Sequence, residues 1–140
     1  MNILTIPFHS HLKIKKSNSD SFTFMLEPQV FNENHLGTVH ACAQLALAEA
    51  TSGQFLLENF EDFENKVVPV IRKTQVKYHT PAKGYLYSVA EFIDGSKEDY
   101  VNQFEKRGRI MTSVKVKLYD ENDKLILTAI FEWLITEIKS

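Results

Sequence analysis

Three polar side chains, Asn34, His40 and Glu49, stand six and nine residues apart in a stretch that is otherwise rich in small apolar residues. Imidazoles and carboxylates are the groups that take up and release protons near neutral pH, so His40 and Glu49 are the first candidates for chemistry. Glu49 is the more telling of the two. It follows a run of alanines and leucines, and in the last turn of a helix it would sit near the negative end of the helix dipole, where a carboxylate is mildly destabilising. Each residue also has a plainer reading. An isolated acid near a helix end is usually solvated, and a histidine with an apolar flank more often bonds backbone than moves protons. His35 is a loop histidine without an evident partner, and His9, His11 and His79 form no metal-ligand spacing with acids or cysteine.

The element that must position these residues is a helix. Thr38 can cap its start by accepting an otherwise unpaired amide, and Gly53 can adopt the left-handed conformation that stops it, which predicts a helix over about residues 39–52. Its five alanines, Ala41, Ala43, Ala46, Ala48 and Ala50, favour helix and let neighbouring backbone approach from several sides. A helix of this kind is expected to be wrapped by the rest of the fold. Cys42, placed among the alanines, is expected to be a small buried residue.

Strands account for most of the remainder. Phe8 to Lys16 alternates as a half-buried strand, with Phe8, Ser10, Leu12 and Ile14 on one side and His9, His11, Lys13 and Lys15 on the other, and Ser21 to Glu27 reads as its hairpin partner. Gln54 to Lys66 reads as irregular or briefly helical. A long strand is predicted from Val67 to before Pro81, bent near Pro69, and another over Tyr85 to Ile93 with Tyr85, Tyr87, Val89 and Ile93 on one face. Ser96, with Glu98 and Asp99, opens a small helix striped by Tyr100, Val101 and Phe104 and ended at Gly108. The last two strands alternate most clearly: Ile110, Thr112, Val114, Val116 and Leu118, then Leu125, Leu127, Ala129, Phe131, Trp133 and Ile135, joined through Asp120 to Asp123. Two strands, a central helix, then four strands imply an α+β fold in which a curved sheet buries that helix.

Composition narrows the function. At 140 residues and 44% hydrophobic content the chain suits a single domain over 1–140 with a sizeable core. A net charge of −2 gives no overall basic field for nucleic acid. One cysteine excludes an internal disulfide and a thiolate metal cluster, and no run approaches the roughly 18 apolar residues that span a bilayer. The expectation is a soluble cytoplasmic protein with no metal and no membrane or nucleic-acid partner.

The element order, together with the residues from Asn34 to Gly53, resembles the hotdog-fold acyl-CoA thioesterases of the phenylacetic-acid-degradation and 4-hydroxybenzoyl-CoA type. In that group an Asn is followed a few residues later by His-Gly-Gly and by an acid nine positions after the His; Asn34, His40 and Glu49 match those spacings. Leu47-Ala48-Glu49-Ala50 looks like the family's leucine-alanine-acid segment, and Lys106-Arg107-Gly108-Arg109 like the basic turn before its fifth strand. The two glycines are Ala41 and Cys42 here.

The resemblance implies a sheet of about six strands around one central helix and hydrolysis of an acyl-CoA, with no cofactor beyond the coenzyme A of the substrate. It implies that Glu49 attacks the thioester or activates water, that the Ala41 N–H holds the oxyanion at the helix N-terminus, and that Asn34 and His40 complete the site. Gln44 is then a candidate for the acyl tunnel, and Lys106, Arg107 and Arg109 for the CoA phosphates. Phe55, Leu56, Phe60, Phe63 and Tyr87 are candidates for the acyl pocket, whether aryl or fatty. Ala41 and Glu49 are eight residues apart, roughly 12 Å along a helix axis. One thioester therefore touches both only across two chains with antiparallel helices, which implies a homodimer or a dimer of dimers. Two other readings stay open: an acyl-binding hotdog module without catalysis, suggested by the missing glycines, and a 3-hydroxyacyl dehydratase, suggested by the fourteen-residue separation of His35 and Glu49.

Overall fold

The structure, a computed structural model, describes residues 1–139. A 3-10 turn at Ile3–Thr5 and a short helix α1 (Pro7–His11) precede strands β1 (Ile14–Lys16) and β2 (Phe24–Leu26). After a second 3-10 turn at Val30–Asn32 comes the central helix α2 (Ala41–Asn59). Then follow β3 (Val67–Tyr78), β4 (Leu86–Phe92), helix α3 (Lys97–Arg107), β5 (Arg109–Tyr119) and β6 (Leu125–Glu137). The six strands form one antiparallel sheet in the order β1-β2-β4-β5-β6-β3, and α2 packs against β2, β4, β5 and β6. This is the α+β arrangement, with the sheet curved around one helix, that the order of hydrophobic patterns predicts.

The central hairpin supplies the core. Ile110, Val114, Val116 and Leu118 of β5 and Leu127, Ala129, Phe131 and Ile135 of β6 are buried, and each large aliphatic side chain so placed contributes about 1.5–3 kcal/mol. Against them lie Ala43, Leu47, Ala48, Ala50 and Thr51 of α2. Burial on consecutive residues is possible because the alanines leave room for strands on more than one side. Helix α3 is capped by Ser96 and Asp99 and stopped by Gly108 in the left-handed conformation, φ 67°. Tyr100 and Phe104 dock it on Phe60, Phe63 and Phe92, with the Phe63 and Phe104 rings 4.5 Å apart.

The central helix differs from expectation at both ends. It runs on through Gly53 to Asn59. Gly53 does not take the left-handed conformation, and a Cβ built there would meet only the end of Ile3 at 3.4 Å, an ordinary contact, so the position neither stops the helix nor requires glycine. The polar residues before it fasten the helix. Thr51 Oγ1 donates to the Leu47 carbonyl at 2.7 Å and lies 2.6 Å from Ser88 Oγ on β4; Ser52 Oγ donates to the Glu49 carbonyl and accepts from Trp133 Nε1 at 3.2 Å. Glu49 therefore stands in mid-helix with ten residues still to come, and the negative helix terminus is not its environment. At the other end His40, not Thr38, is the N-cap.

The first predicted strand is mostly absent. Pro7 takes the first position of α1, where its missing N–H costs nothing, and Ile6 before it is extended, as a residue preceding proline must be. Only Ile14–Lys16 pairs in the sheet. The burial expected of an alternating strand is reversed: Phe8 is 60% exposed and His9 only 5%. Smaller departures occur elsewhere. Cys42 is exposed, so it does not press on the sheet. The inner face of β4 is Leu86 and Ser88, while Tyr87 stacks with Phe22 at 5.4 Å. The irregularity in β3 falls between Ile71 and Lys73 rather than at Pro69.

Candidate active site

A cavity of about 510 Å³ opens between α2, the N-terminal segment and the paired strands β3 and β6. Most of its wall is apolar: Ile3, Ile6, Leu56, Leu57, Phe60, Val67, Trp133 and Ile135 contribute, and Ala50 and Gly53 give the helix side a low profile. Two polar groups stand together in that wall. Glu49 projects from α2 and His9 from α1, with His9 Nε2 3.0 Å from Glu49 Oε2 and His9 Nδ1 2.9 Å from the Ile3 carbonyl. The histidine side chain is 6% exposed and the carboxylate 36%, so the imidazole is enclosed while the acid reaches solvent. A second carboxylate of the wall, Glu64, is paired with the N-terminal amino group of Met1.

The other candidates lie elsewhere. Asn34 builds the turn that delivers the chain to α2: its Oδ1 accepts from the amides of Leu36 at 2.9 Å and Thr38 at 3.1 Å, and its Nδ2 donates to Thr38 Oγ1 at 2.7 Å. His40 Nδ1 accepts the Cys42 amide at 2.9 Å, which fixes the neutral ring's proton on Nε2 and makes His40 a cap with an outward donor. Ala41 is the exposed first residue of α2, where an amide has no intrahelical acceptor. Its carbonyl accepts from Tyr78 Oη at 3.1 Å, and burial raises the Tyr78 phenol above its ordinary range, which keeps it a donor. Asn34, His40 and Ala41 thus gather at the start of α2, while Glu49 is eight residues further along, roughly 12 Å. One chain does not bring them together.

Gln44 is buried, with Nε2 donating to the Val39 carbonyl at 3.0 Å and Oε1 unpartnered among the described residues; it is not in the cavity wall. Lys106 and Arg107 flank a separate open groove with Asp99, Asn102 and Gln103, and Arg109 begins β5. Of the residues expected in an acyl pocket, Leu56 and Phe60 line the cavity, whereas Phe55, Phe63 and Tyr87 do not; the loop histidine His35, paired by spacing with Glu49 in the dehydratase reading, also lies outside the cavity wall. His9 is the residue that sequence reasoning missed. Its signal was Pro7: a proline two residues ahead marks a helix start, and one turn of helix turns His9 inward where alternation would turn it out.

The fold recurs in solved structures. A Pseudomonas aeruginosa protein of unknown function, described as a probable thioesterase, is 20% identical over 97% of this chain and 91% of its own, with a TM-score of 0.81. A Haemophilus influenzae thioesterase is 16% identical over 99% of this chain and 88% of its own, TM-score 0.73. A Bacillus halodurans protein solved with CoA is 20% identical over 91% and 74%, TM-score 0.68. At such identities the likeness establishes the fold, and that fold is the hotdog. No curated protein matches the sequence. The match that defines the family covers residues 5–135, and by it the chain belongs to the family described as a domain of unknown function, DUF4442.

Proposed function

We propose that this protein hydrolyses acyl-CoA thioesters, with Glu49 as the base that activates water. The observation that carries the reading is the placement of Glu49: a partly exposed carboxylate, held through one oxygen by His9, in the wall of an otherwise largely apolar cavity of about 510 Å³. Such a cavity accepts an acyl group, and a few placed polar groups in it direct the chemistry. Similar folds described as thioesterases, and one solved with CoA, support the same substrate class.

In this mechanism Glu49 takes a proton from water as the water oxygen bonds to the thioester carbon. The carbonyl oxygen becomes an oxyanion and is held by a free amide at the start of a helix, that of Ala41. Collapse re-forms the C=O bond and breaks the C–S bond, and the sulfur leaves with the proton from Glu49, giving a carboxylic acid and free CoA. The roughly 12 Å between Glu49 and Ala41 of one chain makes the Ala41 amide that of a second copy. The edge strand β3 supports such a pairing. It is twelve residues long, its outer side has no strand partner among the described residues, and Val68 and Val70 are 46% and 44% exposed.

The test is release of free CoA from a panel of aryl- and fatty-acyl-CoAs by wild type and Glu49→Gln. The expected loss in kcat is about 10²- to 10⁴-fold with the fold retained. Equal rates for every substrate the wild type accepts would refute the assignment, and hydration of a 2-enoyl thioester without CoA release would favour a dehydratase.

A further inference from the structure

We infer that His9 is a positioning residue that holds Glu49 in its working orientation by sharing a single proton with it, an inference that rests on the hydrolase reading above.

The hydrogen-bond inventory carries the argument. His9 Nδ1 faces the Ile3 carbonyl at 2.9 Å, an acceptor only, so Nδ1 must carry a proton. His9 Nε2 faces Glu49 Oε2 at 3.0 Å. A neutral imidazole already donating through Nδ1 has a lone pair at Nε2, and an ionised carboxylate has nothing to donate. The contact is a hydrogen bond only when the pair holds one extra proton, as imidazolium beside carboxylate. In that state Oε2 is anchored and Oε1 is left to face the water. The ring has little alternative, because it is 95% buried and tied to backbone at its other nitrogen.

Among the described residues the surroundings supply no competing partner. From α2 the titratable side chain facing His9 is Glu49 itself, and β3 and β6 contribute Val67, Val68, Pro69, Trp133 and Ile135 to the shared wall. The remaining charged groups of that wall, Glu64 and the Met1 amino group, pair with each other.

Two experiments test this. The first needs no turnover: ¹⁵N NMR of histidine-labelled protein near neutral pH. In wild type both His9 ring nitrogens should carry protons. In Glu49→Gln the new amide can donate to Nε2, so Nε2 should lose its proton while Nδ1 keeps its own. Identical protonation in the two proteins would overturn the pairing. The second compares kcat and KM for CoA release by His9→Ala and His9→Gln with wild type. His9→Ala should lower kcat about 10- to 100-fold with little change in KM, the cost of a misplaced reacting group. His9→Gln keeps an N–H toward Glu49, so it should recover most of kcat. Wild-type kcat in His9→Ala, or no recovery of kcat in a folded His9→Gln protein, would overturn the positioning role. A wild type inert toward every acyl-CoA would instead sink the hydrolase reading, and the ¹⁵N comparison would still decide the pairing.

Discussion

Replacing Ala41 by proline removes one atom group, the backbone N–H proposed to hold the oxyanion, and the structure allows it to do little else. Position 41 is the first of α2, where proline's fixed φ suits the helix and its missing N–H breaks no intrahelical bond. His40 before it has φ −58° and ψ 137°, the extended conformation that a residue preceding proline adopts. Ala41 is exposed, so the ring meets solvent, and its carbonyl still accepts the Tyr78 phenol. The His40 cap to the Cys42 amide is untouched. Stability should therefore hold or rise by about 0.4–1 kcal/mol, since proline restricts the unfolded chain. Catalysis should not hold. Loss of one oxyanion donor costs about 2.7–4 kcal/mol, a fall in kcat of roughly 10²- to 10³-fold. The assay is CoA release followed with a thiol reagent, alongside thermal unfolding, with Ala41→Gly as the control that keeps the amide. An unchanged kcat in a folded Ala41→Pro protein would refute the oxyanion role of this helix terminus.

Two further outcomes concern the scaffold. Gly53 has an ordinary helical conformation in mid-helix, and the atom nearest an added Cβ is the flexible end of Ile3, so Gly53→Ala should raise stability by about 0.5–1 kcal/mol in denaturant unfolding. Burial and the bond to Asp94 push the Tyr100 phenol up to about 12 from 10.0. Because the native state holds that proton longer than the unfolded chain, stability is lost as pH rises from about 10 to about 12, and Tyr100→Phe should flatten the loss in alkaline unfolding curves.

The parts of the fold visible in the sequence were those governed by one strong period. β5 alternates without interruption and β6 from Leu127 onward, and there the structure buries the alternate set expected; at the hairpin end the register shifts, so that Ile126 is buried and Leu125 only half-buried. The order of elements, the Ser96 cap and the Gly108 stop were equally readable, because each rests on local chemistry. Tertiary contact decided the rest. Thr51-Ser52-Gly53 has the composition of a helix end, yet Ser88 and Trp133 use Thr51 and Ser52 to seat a helix that continues. His9 sits in a stretch whose alternation imitates a strand, and its inward turn depends on Pro7 and on two acceptors, Ile3 and Glu49, that lie 6 and 40 residues away. Of the candidate site, spacing singled out Glu49, and the structure sets it in a cavity wall. Its neighbour there was hidden because a contact across 40 residues leaves no local pattern.

The central claim, that Glu49 of one chain works with the Ala41 amide of another, is tested most directly by mixing two inactive proteins. Glu49→Gln and Ala41→Pro chains are unfolded together, refolded and assayed for CoA release. In a mixed two-fold pair, one site joins the intact Glu49 of one chain to the intact Ala41 amide of the other. Random association makes about half of the pairs mixed, each with one working site of two, so about a quarter of wild-type activity should return. A mixture no more active than its components, with mixed pairs demonstrably formed, would contradict the shared site.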